Sequence, residues 1–204
     1  MTVSERLFES ILSGLKIDFK KIPECSEKRP DYKVGKEIIS YWEIKELTEN
    51  PDEKQIVNSI SAGEQEVYSV NSKRVENSIK EASVQLKSYG DIKFPRVVVL
   101  HDARDFVVKD LHFDGFVKSA MLGSGHYQEN ADGELLEIYR NKGLFSDRRD
   151  YISAVAIMYA ESNEIVFFHN PYSQNPLIDC EILEKFPHHY RAITESGGLN
   201  WVKV

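Results

Sequence analysis

The run Phe94-Pro95-Arg96-Val97-Val98-Val99-Leu100 constrains the fold more than any other stretch of this chain. It is short, β-branched and bounded by turn residues, so it reads as a buried strand. Just before it, residues Lys73 to Tyr89 place Val75, Ile79, Ala82, Leu86 and Tyr89 at spacings of three and four, and Gly90 supplies a stop. That spacing predicts a helix. Helix followed by buried strand is the signature of a sheet covered by helices.

The flanking segments extend this picture. From Val3 to Leu15 one helical face is apolar and the other carries Glu5, Arg6, Glu9 and Ser13. Short strands are expected around Phe19 to Ile22 and Tyr32 to Val34. Glu37 to Leu47 alternates, with Ile38, Ser40, Trp42 and Ile44 on one parity and Tyr41, Glu43 and Lys45 on the other, which predicts a strand. Thr48 to Ser72 is weakly patterned, with a short helix expected over Glu53 to Ser61. Residues Ala103 to Asp150 hold helical spacing near Phe113 to Leu122 and loop signals at GSG and ADG. Two strands follow, Ile152 to Tyr159 and Glu164 to His169, separated by the turn ESNE. The order is that of an α/β or α+β protein around a mixed sheet. No repeat or long linker divides it, so residues 1–204 are expected to form one domain with an insertion at about 103–150.

Composition narrows the function classes. With 204 residues, 41% apolar and 29% charged, the chain can build a core. A net charge of -7 argues against coating nucleic acid through a global field. A local basic face is still possible, because Gly14 to Lys36 holds seven basic against four acidic residues. Arg140, Lys142, Arg148 and Arg149 form a second basic cluster. No stretch approaches the roughly 18 to 20 apolar residues of a membrane span. The charged N-terminus MTVSERLFES is unlike a signal peptide, so a cytoplasmic protein is expected. Cys25 and Cys180 are too few for a disulfide framework, and both are expected to be reduced and structural.

One constellation suggests chemistry. Pro30-Asp31 is followed, after eleven intervening residues, by Glu43-Ile44-Lys45. Strand alternation sends Glu43 and Lys45 to one face and anchors Trp42 and Ile44 on the other. Two carboxylates at a sheet edge with an ammonium beside them are what a Mg²⁺-dependent phosphodiester hydrolase requires, since the metal wants hard oxygens and the developing charge wants a cation. Blander readings of the same residues are Asp31 as a turn residue, Glu43 and Lys45 as an exposed charge pair, and Glu9 and Gln85 as solvated helix positions.

The run RPDYKVGKEIISYWEIKEL, with the preceding helix bearing Glu5 and Glu9 and the following KEASVQLKSY and PRVVVL, resembles the PD-(D/E)XK nuclease superfamily. The resemblance covers roughly residues 3 to 100 and implies a restriction-endonuclease-like α/β fold, a mixed β-sheet core flanked by helices, with an insertion and C-terminal strands. It implies a metal-dependent nuclease cutting nucleic acid, DNA favoured, with Mg²⁺ or Mn²⁺ as cofactor. Asp31, Glu43 and the Ile44 carbonyl would hold the metal, with Glu9, or Glu5 one turn earlier, in support. Lys45 would orient water or stabilise charge, and Gln85 would face the site, with Lys87 a possible neighbour. The alternative is a catalytically silent member of the same fold, either a protein-binding module or a partner-dependent subunit of a defence or repair assembly. A homodimer is compatible with either.

Other residues receive weaker readings. FFHNPYSQNPL could bring His169, Asn170 or Tyr172 near a substrate, although Asn-Pro pairs more often just end a strand. His188 and His189 lack partners at zinc spacing. His101-Asp102 could border a cleft, with Asp102 more readily a helix cap. The chain has no phosphate-binding glycine loop, GxGxxG or GxSxG motif.

Overall fold

In the computed structural model the chain is described over residues 1–36, 39–65, 73–109, 112–146, 148–177, 182–195 and 197–204. Ten strands form one mixed sheet in the order β1-β2-β3-β4-β7-β8-β9-β10-β6-β5. These are β1 (Phe19–Lys21), β2 (Tyr32–Val34), β3 (Ser40–Leu47), β4 (Arg96–Asp102), β5 (Gly125–Glu129), β6 (Leu135–Tyr139), β7 (Ala154–Tyr159), β8 (Glu164–His169), β9 (His189–Glu195) and β10 (Gly198–Lys203). The helices are α1 (Val3–Gly14), α2 (Pro51–Ser61), α3 (Lys73–Lys87) and α4 (Phe113–Leu122). The chain is therefore α/β.

β4 behaves as its apolar run requires. It lies parallel to β3 on one side and to β7 on the other. Val97 and Val99 pack into the cluster that receives Phe8, Ile11 and Leu12 of α1, whereas Val98 and Leu100 pack beneath Ile79, Leu86, Val117 and Met121 of α3 and α4. All four strand residues are fully buried, each contributing about 1.5–3 kcal/mol. A strand covered on both faces has no polar face, hence no alternation.

Local chemistry sets the helix boundaries. Thr2 caps α1 in a capping box with Glu5, and Asn50 caps α2 in another with Glu53. α2 consequently begins at Pro51, two residues before the expected start. At the end of α3 the chain passes through Gly90 at φ +67, where a Cβ would lie 2.5 Å from the Tyr41 ring. Only glycine fits that turn.

The expected strand at 37–47 is present from Ser40, and Glu37 and Ile38 lie outside the described residues. The 103–150 region contains α4 where helical spacing indicated it, followed by the β5–β6 hairpin, which joins the main sheet through β10. The β9–β10 hairpin was likewise not anticipated. Among the described residues no helix is long and apolar enough to cross a membrane.

Candidate active site

The β1-β2-β3 meander builds the site. Tyr32 pairs with Trp42 across antiparallel β2 and β3, and continuing that register by one residue sets Asp31 opposite Glu43. Asp31 Oδ2 accepts the Ile44 N–H at 2.8 Å, which fixes the carboxylate against β3. Trp42 and Ile44 are buried on the α1 side. Glu43 and Lys45 emerge together on the α3 side, with Lys45 Nζ 2.9 Å from Glu43 Oε1. α3 then delivers Gln85, whose Oε1 accepts a hydrogen bond from Lys45 Nζ at 2.7 Å. Four residues expected from the sequence, Asp31, Glu43, Lys45 and Gln85, are thus drawn together from the entry to β2, from β3 and from α3.

The Glu43 side chain is only 2% exposed. Its Oε2 is buried and has no hydrogen-bond partner among the described residues. Burial first, and then the negative charge of Asp31, push the Glu43 carboxyl up to about 7, despite the opposing pull of Lys45 and of the Asp31 N–H. Burial also raises the Asp31 carboxyl, while the Ile44 N–H pulls it back. The pocket thus has two crowded carboxyls, one orphaned oxygen and one cation. Such an arrangement accommodates a hard divalent ion, which would occupy the orphaned oxygen and neutralise the crowding. Among the described residues no group of three or more His, Cys, Asp or Glu could hold a metal. Two carboxylates suffice for an ion that keeps several waters, as Mg²⁺ does.

The α1 carboxylates lie to one side. Glu9 Oε1 accepts the Tyr32 hydroxyl at 2.8 Å. Glu5 completes the α1 cap through Thr2 N–H and pairs with Lys21 Nζ at 2.7 Å. Burial works to raise the Glu5 carboxyl, but the Lys21 and Thr2 hydrogen bonds win and hold it low. The charge of Glu5 is among the influences that raise the Asp31 carboxyl. Lys21, which sequence reasoning did not single out, also acts on Asp31; its register opposite Tyr32 was the available signal.

Other candidates have structural employment. Asn170 Nδ2 donates to the Ile152 carbonyl at 2.8 Å and its Oδ1 accepts the Tyr172 N–H, closing the strand-ending turn. His169 stacks with His189. Asp102 binds Arg104, which continues to Glu53, so it clamps β4 to α2 instead of capping a helix. Cys25 is free and exposed instead of packed in the core, and Cys180 lies outside the described residues. In the basic segments, Lys21 and Arg29 are paired with Glu5 and Glu27, and Arg149 donates to the Leu144 carbonyl.

No protein-family model matches the chain, and neither a curated protein nor a solved structure was found to match it.

Proposed function

We propose that the chain is a divalent-metal-dependent nuclease that hydrolyses phosphodiester bonds of nucleic acid, with the restriction-endonuclease-like fold and the PD-(D/E)XK kinship that its motif resembles. The observation that carries the reading is the buried, unpartnered Oε2 of Glu43, on a carboxyl that feels the charge of Asp31 and has an ammonium alongside. The element order supports it: α1, the β1-β2-β3 meander, α3, then β4 parallel to β3.

Asp31 and Glu43 would hold Mg²⁺ or Mn²⁺, with the Ile44 carbonyl as a third oxygen and Glu9 or Glu5 reaching it through water. When bound, such an ion supplies positive charge to the phosphate and acidifies a coordinated water. Lys45 balances the charge that develops on the phosphate oxygens, and Gln85 keeps its ammonium from swinging to solvent. The Ile44 N–H holds Asp31 in position throughout.

The test is a cleavage assay on supercoiled plasmid, single-stranded DNA and RNA with Mg²⁺ or Mn²⁺, beside Glu43→Ala. Metal-dependent products that vanish in the variant support the reading. Products that persist in Glu43→Ala, or no cleavage of any substrate, overturn it.

A further inference from the structure

Beside the carboxylate pair, the loop of residues 22–31 stands away from α3 and encloses a cavity of about 580 Å³. Asp31 and Gln85, both part of the candidate site, contribute to its wall. Ser88 Oγ donates to the Lys28 carbonyl at 3.1 Å, and Gln85 Nε2 donates to the Arg29 carbonyl at 3.4 Å. These bonds hang the loop from α3, so the space is preformed. Gln85 binds the loop through its amide nitrogen and Lys45 through its amide oxygen, which ties cavity and ammonium to one side chain.

The lining indicates what fits. Glu24, Glu27 and Glu81 join Asp31 to put four carboxylates on the wall against two cations, Lys28 and Arg29, the latter paired with Glu27, a balance that disfavours a phosphate. Val84, 47% exposed, and Pro23 offer apolar surface. The Arg29 guanidinium lies 5.8 Å from the Tyr89 ring centroid, and its Nε is buried with no acceptor among the described residues. A flat, uncharged group with an apolar face and hydrogen-bonding edges matches this wall better than an anion does. The size lies within the range of about 300–1,000 Å³ that holds small molecules.

We propose that the cavity receives one unstacked nucleobase beside the phosphate held at Asp31 and Lys45, so that the chain acts on an unpaired strand or frayed end and not on continuous duplex. This rests on the nuclease reading of the site. A base inside a duplex must first be unpaired and flipped, which costs binding energy that a single strand does not spend. In the unpaired strand, burying the base against Pro23 and Val84 adds affinity with little dependence on sequence.

Cys25, an exposed free thiol on the cavity wall, reports occupancy. Its maleimide alkylation is followed by peptide mass spectrometry in the Lys45→Ala protein with Mg²⁺, using oligothymidylate, oligouridylate or a blunt DNA hairpin. A single strand, DNA or RNA, is expected to slow alkylation at least about fivefold and the hairpin much less; the more protective of the two strands identifies the sugar preferred. Val84→Glu, which adds a carboxylate at an exposed helix position on the wall, is expected to abolish the protection and to raise KM for single-strand cleavage about tenfold. Equal protection by the hairpin, no protection at all, or full protection in Val84→Glu overturns the assignment. Protection without cleavage of any substrate sinks the nuclease reading alone, whereas cleavage with the metal response intact but without protection sinks the cavity assignment alone.

Discussion

Asp31 and Glu43 face one another across β2 and β3, and the charge of Asp31 is second only to burial in raising the Glu43 carboxyl. The pair is therefore electrostatically unfavourable until a cation joins it. A ligand that binds only the folded state stabilises it, by about 2.7 kcal/mol at a hundredfold excess over Kd. Mg²⁺ is expected to raise Tm by about 5–10 °C for a chain of this size. Asp31→Asn should remove that response in differential scanning fluorimetry, and identical curves in Mg²⁺ and EDTA would contradict the metal assignment.

Without metal, the same crowding predicts a stabilising substitution. The Glu43 carboxyl is raised to about 7 from an ordinary 4.5. The unfolded chain then releases this proton at lower pH than the folded one does. Its contribution is fully present below 4.5 and is lost as pH rises through 7. Glu43→Gln cannot titrate, so its stability relative to the native chain should rise across that window. Urea unfolding in EDTA at both ends of the window measures the difference; a variant less stable at the alkaline end would refute it. The gain comes with loss of activity, as is common for strained sites.

Lys45 spans Glu43 Oε1 and Gln85 Oε1. Lys45→Ala removes a partly exposed side chain that carries little of the core, so folding should survive while kcat falls by roughly 10² or more. Gln85→Leu keeps the ammonium but frees it to rotate. Its kcat should fall by less, about tenfold, with the Mg²⁺ shift in Tm unchanged. Retained cleavage in Lys45→Ala would mean that another cation serves the phosphate.

How far this was readable in advance depended on where the physics is local. Trp42, Ile44, Glu43 and Lys45 sort by strand parity, and β4 announces itself by lacking parity, so the meander and its carboxylates could be placed from residue order. The β5–β6 and β9–β10 hairpins could not. Their strands are partly exposed at the far end of the sheet, and Trp201 and Leu199 join the core only because β10 is held between β9 and β6. Long-range pairing leaves no mark in local periodicity. The choice between Glu5 and Glu9 had the same difficulty: both lie on one face of α1, and their partners, Lys21 and Tyr32, come from other elements.

His169 predicts acid sensitivity away from the site. His189 Nε2 lies against the Phe186 and Leu183 carbonyls, which only accept, so its Nδ1 must accept from His169 Nε2 at 3.2 Å. That leaves His169 Nδ1 buried and bare. Burial first, then His189 and Arg191, lower its pKa from 6.5 to about 4. Across that interval the unfolded chain binds more protons, so stability falls as pH falls, by up to about 3 kcal/mol. His189, lowered chiefly by burial, works in the same direction. Because Glu43 titrates in the same window with the opposite sign, the readout is the difference from the native chain: His169→Phe should gain in urea midpoint relative to it as pH falls from 6.5 to 4, and a constant difference would refute the assignment.

Arg96 governs whether α3 presents Gln85 correctly. Its guanidinium is buried, and the acceptors it meets are backbone carbonyls. Five satisfy it: Leu86 at 2.9 Å, Ile92 and Tyr89 at 3.1 Å, Asp91 at 3.2 Å and Phe94 at 3.3 Å. Leu86 is in the last turn of α3 and the others lie in the link to β4, so one planar fork collects the carbonyls that the helix end leaves open. Lysine has the charge but a single nitrogen, and it cannot reach all five. Arg96→Lys should cost about 3 kcal/mol in urea unfolding through buried carbonyls left without donors. With the helix end loosened, kcat should fall even under conditions where the variant is fully folded, because Gln85 lies one residue from Leu86. A variant with native kcat would show that the fork serves the fold alone.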